Sequence, residues 1–506
     1  MATLWLLGSQ CSFRQPWFEE IDKKKDHILL IEARSRSTWQ QYHKQKLVLV
    51  FSIMRHFKAE LEEAGFSVDY RQGDSFEEEL QKHINQYKAK EILIHQPSDH
   101  RMERQIHSWK NKQKDVDIRM QEEGGFLIGR PEWEDLLPDN QKWQMDKLYR
   151  KFRTRFDVLL TNEGKPLGGK WSLDAENRKP PKKGLDFPAP AWPDQTTITK
   201  EVIADVEQHY TENYGSIDSF RYPVTADQAE AFLEDFIKHR LPTFGDYQDA
   251  MIPKDPFMSH SMLSASINMN LLDPLDVIRR AEEAYEDGHA PLNAVEGFIR
   301  QILGWREYIR GIYLRKMPEY RNVNELDHHR DLPDFFWTGE TKMHCMQDSI
   351  GSVIEHGYSH HIQRLMVIGN FSVLAGFSPQ QVSDWFNEMY IDALDWVVLP
   401  NVLGMALYAD GGLMSTKPYV SSGNYIHKMS RYCGDCEYSV KDKYGETACP
   451  FHSLYWDFLE RQRSRFEENP RMKVMFKHLD NRSEEQVQQQ KETVDLVFDR
   501  LKKGEL

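Results

Sequence analysis

Between residues 1 and 125, short apolar runs alternate with stretches of helical period. TLWLLGS around Leu4, HILLIEA around Leu30, SVDYR around Val68, EILIHQ around Leu93 and DVDIRM around Ile118 read as strands. The clearest helical pattern between them, KLVLVFSIMRHFKAELEEAG from Lys46 to Gly65, repeats apolar residues at helical spacing and stops at a glycine. Alternation of strand and helix predicts a parallel sheet with helices on both faces. Gly8-Ser9-Gln10 follows the first strand where a GxGxxG would stand, so a dinucleotide fingerprint is absent.

Residues 126–220 read as a basic interdomain linker. They contain GKPLGGKWSLDAENRKPPKKGLDFPAPAWP, and residues 139–183 carry 12 Lys/Arg against 6 Asp/Glu. Such a segment is either a solvated connection or a strap beside a polyanion site. From 221 to 506 the pattern is helical. PLNAVEGFIRQILGWREYIRGIYL, EHGYSHHIQRLMVIGNFSVLAG and SPQQVSDWFNEMYIDALDWV are each long enough for a buried helix, and Ser378-Pro379 marks a helix start. The expected architecture is an α/β domain (1–125) with a Rossmann-like parallel sheet, the linker, and a large all-α domain (221–506). No internal repeat is present.

Composition narrows the class. The 506 residues carry 65 Lys+Arg and 79 Asp+Glu, a net charge of −14, with 12 % aromatics. That aromatic content and the lack of low-complexity tracts exclude collagen-like, coiled-coil and disordered chains. No apolar run approaches the ~20 residues of a membrane span. The first residues lack the basic start of a signal peptide, and KKGEL is not an ER-retention signal, so a cytoplasmic, monomeric protein is expected. Net acidity leaves room for a local basic groove.

Five cysteines in a reducing compartment argue against a disulfide framework. Cys433 and Cys436 form a C-x2-C pair, Cys449 precedes a proline, Cys345 lies upstream and Cys11 is isolated, expected in a core. Four thiolates of this kind suit zinc or an iron–sulfur cluster, and unliganded buried thiols are the third reading. His360-His361 sits in a segment of helical pattern. Adjacent helical side chains diverge by about 100°, so one histidine can face a cavity while the other bonds structurally. Trp305, Trp337, Trp385, Trp396 and Trp456, with Tyr390, Tyr419 and Tyr425, enrich the helical domain in aromatics. His260-Ser261-Met262-Leu263-Ser264 places hydroxyls at a helix start, where phosphate binds well. Arg364 and Asp392 can pair between neighbouring helices.

Together these residues resemble the photolyase/cryptochrome superfamily, and most of all its iron–sulfur bacterial branch, the prokaryotic (6-4) photolyases and related bacterial cryptochromes. KWSLDAENR, NAVEGFIRQILGWREYIRGIY, SHHIQRLM, LPNVLGM, ADGG, TKPYVSSGNYI and the C-x2-C…CP segment with FHSLYWDF carry the resemblance, in order, over nearly the whole chain. It implies FAD in a bent form in the helical domain. His260, Ser261, Leu263 and Ser264 match the phosphate loop. Gln301 and Arg306 match the flanking GWRE helix, Arg364 and Asp392 the ion pair beside the flavin ring, and Val398 and Asn401 the LPN segment. Trp385 and Trp337, with Tyr425, match the electron-transfer set; Phe386 stands where some relatives have tyrosine. Cys345, Cys433, Cys436 and Cys449 match the ligands of a [4Fe–4S] cluster.

The implied reaction is light-driven electron donation from reduced flavin to a (6-4) lesion flipped out of DNA. His361, with His360 beside it and Tyr419 in the cavity lining, matches the catalytic group. His361 has the proton-transfer role, which suits a side chain that titrates near neutrality. Lys165, Lys170, Arg178, Lys179, Lys182 and Lys183 are the expected DNA contacts. Leu365 replaces a second histidine of animal relatives, as in the bacterial branch. Val398 occupies a position facing flavin N5 that is usually polar, which favours the alternative of a blue-light photoreceptor without repair. A ribolumazine antenna is also implied, although Gly8-Ser9-Gln10-Cys11 and Arg36 depart from the usual antenna-domain pattern.

Overall fold

The computed structural model describes residues 1–506. Five parallel strands, β1 (Ala2–Leu6), β2 (His27–Ala33), β3 (Ser67–Gly73), β4 (Glu91–Gln96) and β5 (Asp117–Glu122), form one sheet in the order β3-β2-β1-β4-β5. All five coincide with the runs read from the sequence. The central strand β1 pairs Leu4 with Ile28 on one side and with Leu93 on the other. Its alternation divides the two faces. Trp5 and Leu7 join a small outer core with Leu80, Ile106 and Trp109, whereas Leu4 and Leu6 join a core continuous with the helical domain. The helix α1 (Lys44–Glu63) lies in that continuous core, burying Leu47, Val48, Phe51, Met54 and Phe57.

Much of the segment read as a linker is packed. Trp133, Tyr149, Phe152, Val202 and Val206 are fully buried, on helices Trp133–Leu136, Met145–Arg155 and Thr197–His209. Its charged tip, 163–185, is mostly exposed, although Leu173 and Asn177 are buried against the helical domain.

The three long helical patterns are present but interrupted. The first runs Leu292–Ile299, then a π-helical stretch Arg300–Arg306, then Glu307–Lys316. Similar π stretches occupy Phe236–Arg240, Gln363–Gly369 and Pro400–Ala406. A π turn accommodates one extra residue and re-aims the side chains after it; such turns recur at functional sites. The expectation that 355–376 forms one helix is corrected. Helix His344–His356 ends at Gly357, whose φ of +62° is left-handed, and where a Cβ would stand 3.3 Å from Ile391. Residues 358–360 are extended, and the next helical turn opens at His361. Ser378 caps Pro379–Met389 by accepting from Gln381 N–H, as its sequence signature implies. No helix is long and apolar enough to cross a membrane.

Candidate active site

The non-helical residues 358–360 separate helix His344–His356 from the stretch that carries His361 and Arg364. Arg364, on the π stretch, forms a two-armed ion pair with Asp392: Nη1 to Oδ1 and Nη2 to Oδ2 are each 3.1 Å. Its Nε donates to the Ser359 carbonyl at 2.6 Å, and its guanidinium lies 4.2 Å from the centre of the Tyr390 ring. Burial opposes the charge on Arg364, but Asp392 outweighs it and keeps the guanidinium ionised. Ser264 Oγ donates to Asp392 Oδ2 at 2.7 Å, and Asn268 Nδ2 donates to the Asp392 carbonyl at 3.0 Å. Arg364, Asp392 and Ser264 therefore meet as the sequence implies. A buried pair of this kind is held by such added hydrogen bonds, because Coulomb attraction alone barely offsets desolvation.

Around this pair, His260 and His360 stack with ring centres 4.6 Å apart and planes 12° from parallel. Both rings are held neutral, His260 with its pKa pushed down to about 3, by burial first and neighbouring positive groups second. Both His360 nitrogens, His260 Nε2 and Ser259 Oγ lack protein partners. Unpaired buried polar atoms are rare in folded chains, and so many together point to a polar ligand. His361 differs from His360. It is exposed at the surface, whereas His360 is fully buried. Burial, then Arg364, pushes its pKa down to about 4; Asp174 opposes this and Arg300 adds to it. That direction leaves His361 neutral at pH 7 in the free protein, and His360 stays buried beside it.

Arg300, on the neighbouring π stretch, donates to Asp174 Oδ1 at 2.7 Å, and Arg178 pairs with the same carboxylate. Asp249, with its pKa raised to about 6 by burial and by Asp174, was not anticipated from the sequence; no spacing signal marks it. Tyr419 and Tyr425 belong to this rim, Tyr419 among the charges of Arg471, Asp174 and Arg178, Tyr425 beside Asp249 and Arg178.

Several expected residues are already engaged. Arg306 donates to Glu307 Oε1 at 2.9 Å and to the Gly125 carbonyl at 2.8 Å, and stacks on Phe126 and Trp396. It joins the helical domain to the end of the α/β domain. Gln301 Nε2 bonds the Gly297 carbonyl, Asn401 Nδ2 bonds the Val397 carbonyl, and Ser261 Oγ accepts from Leu263 N–H. Val398 is buried. Trp385 donates to the Phe336 carbonyl and packs 5.7 Å from Tyr390, which stacks on Phe386 at 4.9 Å. This links Trp385 through Tyr390 to Arg364. Trp337, next to Phe336, is half-buried beside Tyr214. Tyr425 lies outside this aromatic stack, at the charged rim beside Asp249 and Arg178.

All six strap cations are exposed, but four are paired. Lys165 pairs with Glu163 at 2.8 Å, Lys170 with Glu176 at 3.1 Å, Arg178 with Asp174, and Lys179 with Asp246 at 2.6 Å. Glu163, Asp174 and Glu176 already stand in the count over 139–183, so of these four pairs only Lys179–Asp246 lowers its excess positive charge.

Away from the histidines, Cys345, Cys433, Cys436 and Cys449 line one small cavity, together with Met343, Ile426, Tyr432, Val440 and Pro450. Burial raises the thiol of Cys449 to about 12 and of Cys433 to about 11. A Cβ on Gly423 would come within 2.8 Å of Cys449 Sγ, so glycine keeps that wall open. No three His, Cys, Asp or Glu side chains gather tightly enough for a single metal ion. Cys11 is buried in the α/β domain, as expected.

A small parallel α/β domain sharing its core with a helical domain, which carries a buried Arg–Asp pair among unpaired histidines, describes a class of two-domain cofactor proteins. Known proteins agree. The profile of the family described as deoxyribodipyrimidine photo-lyase-related protein matches residues 4–222. A (6-4) photolyase of Agrobacterium fabrum strain C58 is 43 % identical over 475 residues, spanning 92 % of this chain and 93 % of that protein. A bacterial class III photolyase from Agrobacterium tumefaciens superposes with a TM-score of 0.54 at 16 % identity, over 85 % of this chain and 86 % of that one. A Synechocystis cryptochrome gives a TM-score of 0.54 at 14 % identity, over 92 % and 93 %. The chain belongs to the photolyase/cryptochrome superfamily, whose members imply FAD as cofactor.

Proposed function

We propose that this protein is a light-driven DNA-repair enzyme that reverses (6-4) pyrimidine photoproducts. The observation that carries the reading is the near full-length similarity to a (6-4) photolyase, together with an exposed histidine, His361, close to the Arg364–Asp392 pair. FAD fits the residues present: the unpaired atoms of His260, His360 and Ser259 and the accessible Ser264 offer it polar contacts. When bound and excited by light, it supplies a single electron. Arg364 and Asp392 would hold its ring system, and the loop 259–264 its phosphates.

His361 is assigned the proton on the substrate side. Neutral in the free protein, it becomes a donor once phosphates enter the mouth, because their negative charge offsets Arg364 and Arg300. The strap contributes the approach to DNA. Its exposed ion pairs are worth at most ~1 kcal/mol each and exchange readily for phosphate. Lys182 and Lys183 need not break a pair. Binding should weaken with salt in proportion to the phosphates contacted.

A [4Fe–4S] cluster is the proposed occupant of the four-thiol cavity. Four thiols spread around a shared apolar cavity suit a multi-atom cluster better than one tetrahedral ion. Thiols that burial holds protonated become thiolates when iron replaces their protons. A ribolumazine antenna is proposed for the α/β domain by family resemblance alone. At the carboxyl ends of β1 and β4, Gln10 is already bonded to Glu123 at 3.0 Å and Arg310 to Ser98 at 3.0 Å. The photoreceptor alternative retains one observation, the apolar Val398. Purified, reduced protein given an oligonucleotide with a single (6-4) lesion decides between them: blue light removes the lesion if the repair reading holds, and leaves it intact in a pure photoreceptor.

A further inference from the structure

A continuous buried hydrogen-bond path joins the four-thiol cavity to the histidine turn. Tyr432 lines that cavity and precedes Cys433. Its hydroxyl donates to Asp348 Oδ2 at 2.8 Å, and Asp348 shares helix His344–His356 with Cys345. The same hydroxyl accepts from Gln363 Nε2 at 2.9 Å. Gln363 Oε1 in turn accepts the backbone N–H of His360 at 3.1 Å. The Tyr432 backbone is fixed as well: its carbonyl bonds His344 Nδ1 at 3.0 Å and its N–H donates to Ser430 Oγ at 3.2 Å. Tyr432, Gln363 and His360 are all fully buried. One phenol therefore ties together the helix of Cys345, the turn of Cys433 and the start of the turn that aims His361.

We propose that Tyr432 and Gln363 are positioning residues through which the four-thiol site sets the orientation of the His360–His361 turn. Packing of Tyr432 depends on the 430–449 segment being drawn against helix His344–His356. Its hydroxyl then holds the Gln363 amide, and that amide holds the His360 backbone. A buried donor or acceptor that loses its partner is costly, so the chain keeps one arrangement and transmits small shifts at the thiols to the histidines. The four-thiol site thus acts on the reaction mechanically, without taking part in it. This rests on the proposed repair activity only for its kinetic consequence.

Two variants test it, Tyr432→Phe and Gln363→Met, each made in the full-length, cofactor-loaded protein with 13C-labelled histidine. The signals of His360 and His361 are assigned by their loss in His360→Gln and His361→Gln. Both variants are expected to shift these two signals in the same direction, with iron and FAD content as in the parent. Repair kcat should fall by about 10- to 100-fold, the scale of a small misplacement at a reacting group, with KM for lesion DNA unchanged. The double variant should lose no more than either single one. Unmoved histidine signals in both variants, or losses that add in the double variant, overturn the proposal. So does an altered rate of flavin photoreduction with unmoved histidines, which would make Tyr432 an electron relay. If Tyr432→Phe loses iron, Gln363→Met decides, since its side chain does not line the thiol cavity. If the parent repairs nothing, the repair reading fails, and the histidine shift still decides the positioning role.

Discussion

Replacing Cys345 by serine tests the proposed cluster where it acts most on the fold. Cys345 lies on helix His344–His356, whereas the other three thiols lie on the 433–449 segment. A cluster held by all four closes a loop of about 88 residues, for which the chain-entropy relation gives about 4.6 kcal/mol. Cys345→Ser removes the only ligand on the far side of that loop. The 423–449 segment should then open with a free-energy cost lower by up to about 4.6 kcal/mol, roughly a 10³-fold loss of amide protection. Hydrogen exchange read by mass spectrometry on the anaerobically purified protein measures it, with strands β1 and β4 as internal reference. The expected result is rapid exchange confined to 423–449 and the facing turn of His344–His356, with iron lost. Parental protection of 423–449 in an iron-free Cys345→Ser protein would refute the cross-link.

Other residues give independent tests. His361→Ala should abolish repair while FAD stays bound; full activity in a turnover assay would reject the proton-transfer role. Arg364→Leu leaves Asp392 buried with only Ser264 as partner, which should cost about 3 kcal/mol or more and lower FAD content, whereas Asp392→Asn should be milder. Thermal melts and flavin absorbance read both, and equal behaviour of the two variants would count against the pair. Asp249 has its pKa raised from 3.8 to about 6, so the folded state holds its proton more tightly than the unfolded one. Its penalty is absent below pH 4, grows as pH rises to 6 and is complete above, at about 2–3 kcal/mol. Asp249→Asn should therefore match the parent at pH 4 and exceed it in Tm at pH 8; no gain at pH 8 would contradict the shift.

The fold was legible where burial writes a continuous signal. Buried parallel strands appear as uninterrupted apolar runs, and HILLIEA and EILIHQ sit at the centre of the sheet. The π turns were not legible, because one inserted residue does not disturb an apolar pattern averaged over several turns. Arg306 ends one of these stretches and bonds Gly125 and Glu307. The break at Gly357 was hidden inside an otherwise apolar helical run. The possible Arg364–Asp392 pair and the set of four cysteines were legible from residue type and spacing before the resemblance was drawn, and the structure brings each set together. Charge counting along the strap missed one pairing, since Asp246, the partner of Lys179, lies far away in sequence. Tyr432, Gln363 and Asp249 carry no spacing signature, and only three-dimensional contact reveals them.

The most direct test of the account is lesion reversal under light. Purified protein with its flavin reduced is mixed with an oligonucleotide bearing one (6-4) photoproduct and illuminated with blue light, with a dark control. The account predicts restored pyrimidines in the illuminated sample alone, and none with His361→Ala. Persistence of the photoproduct under illumination, in protein shown to hold reduced flavin, would contradict it.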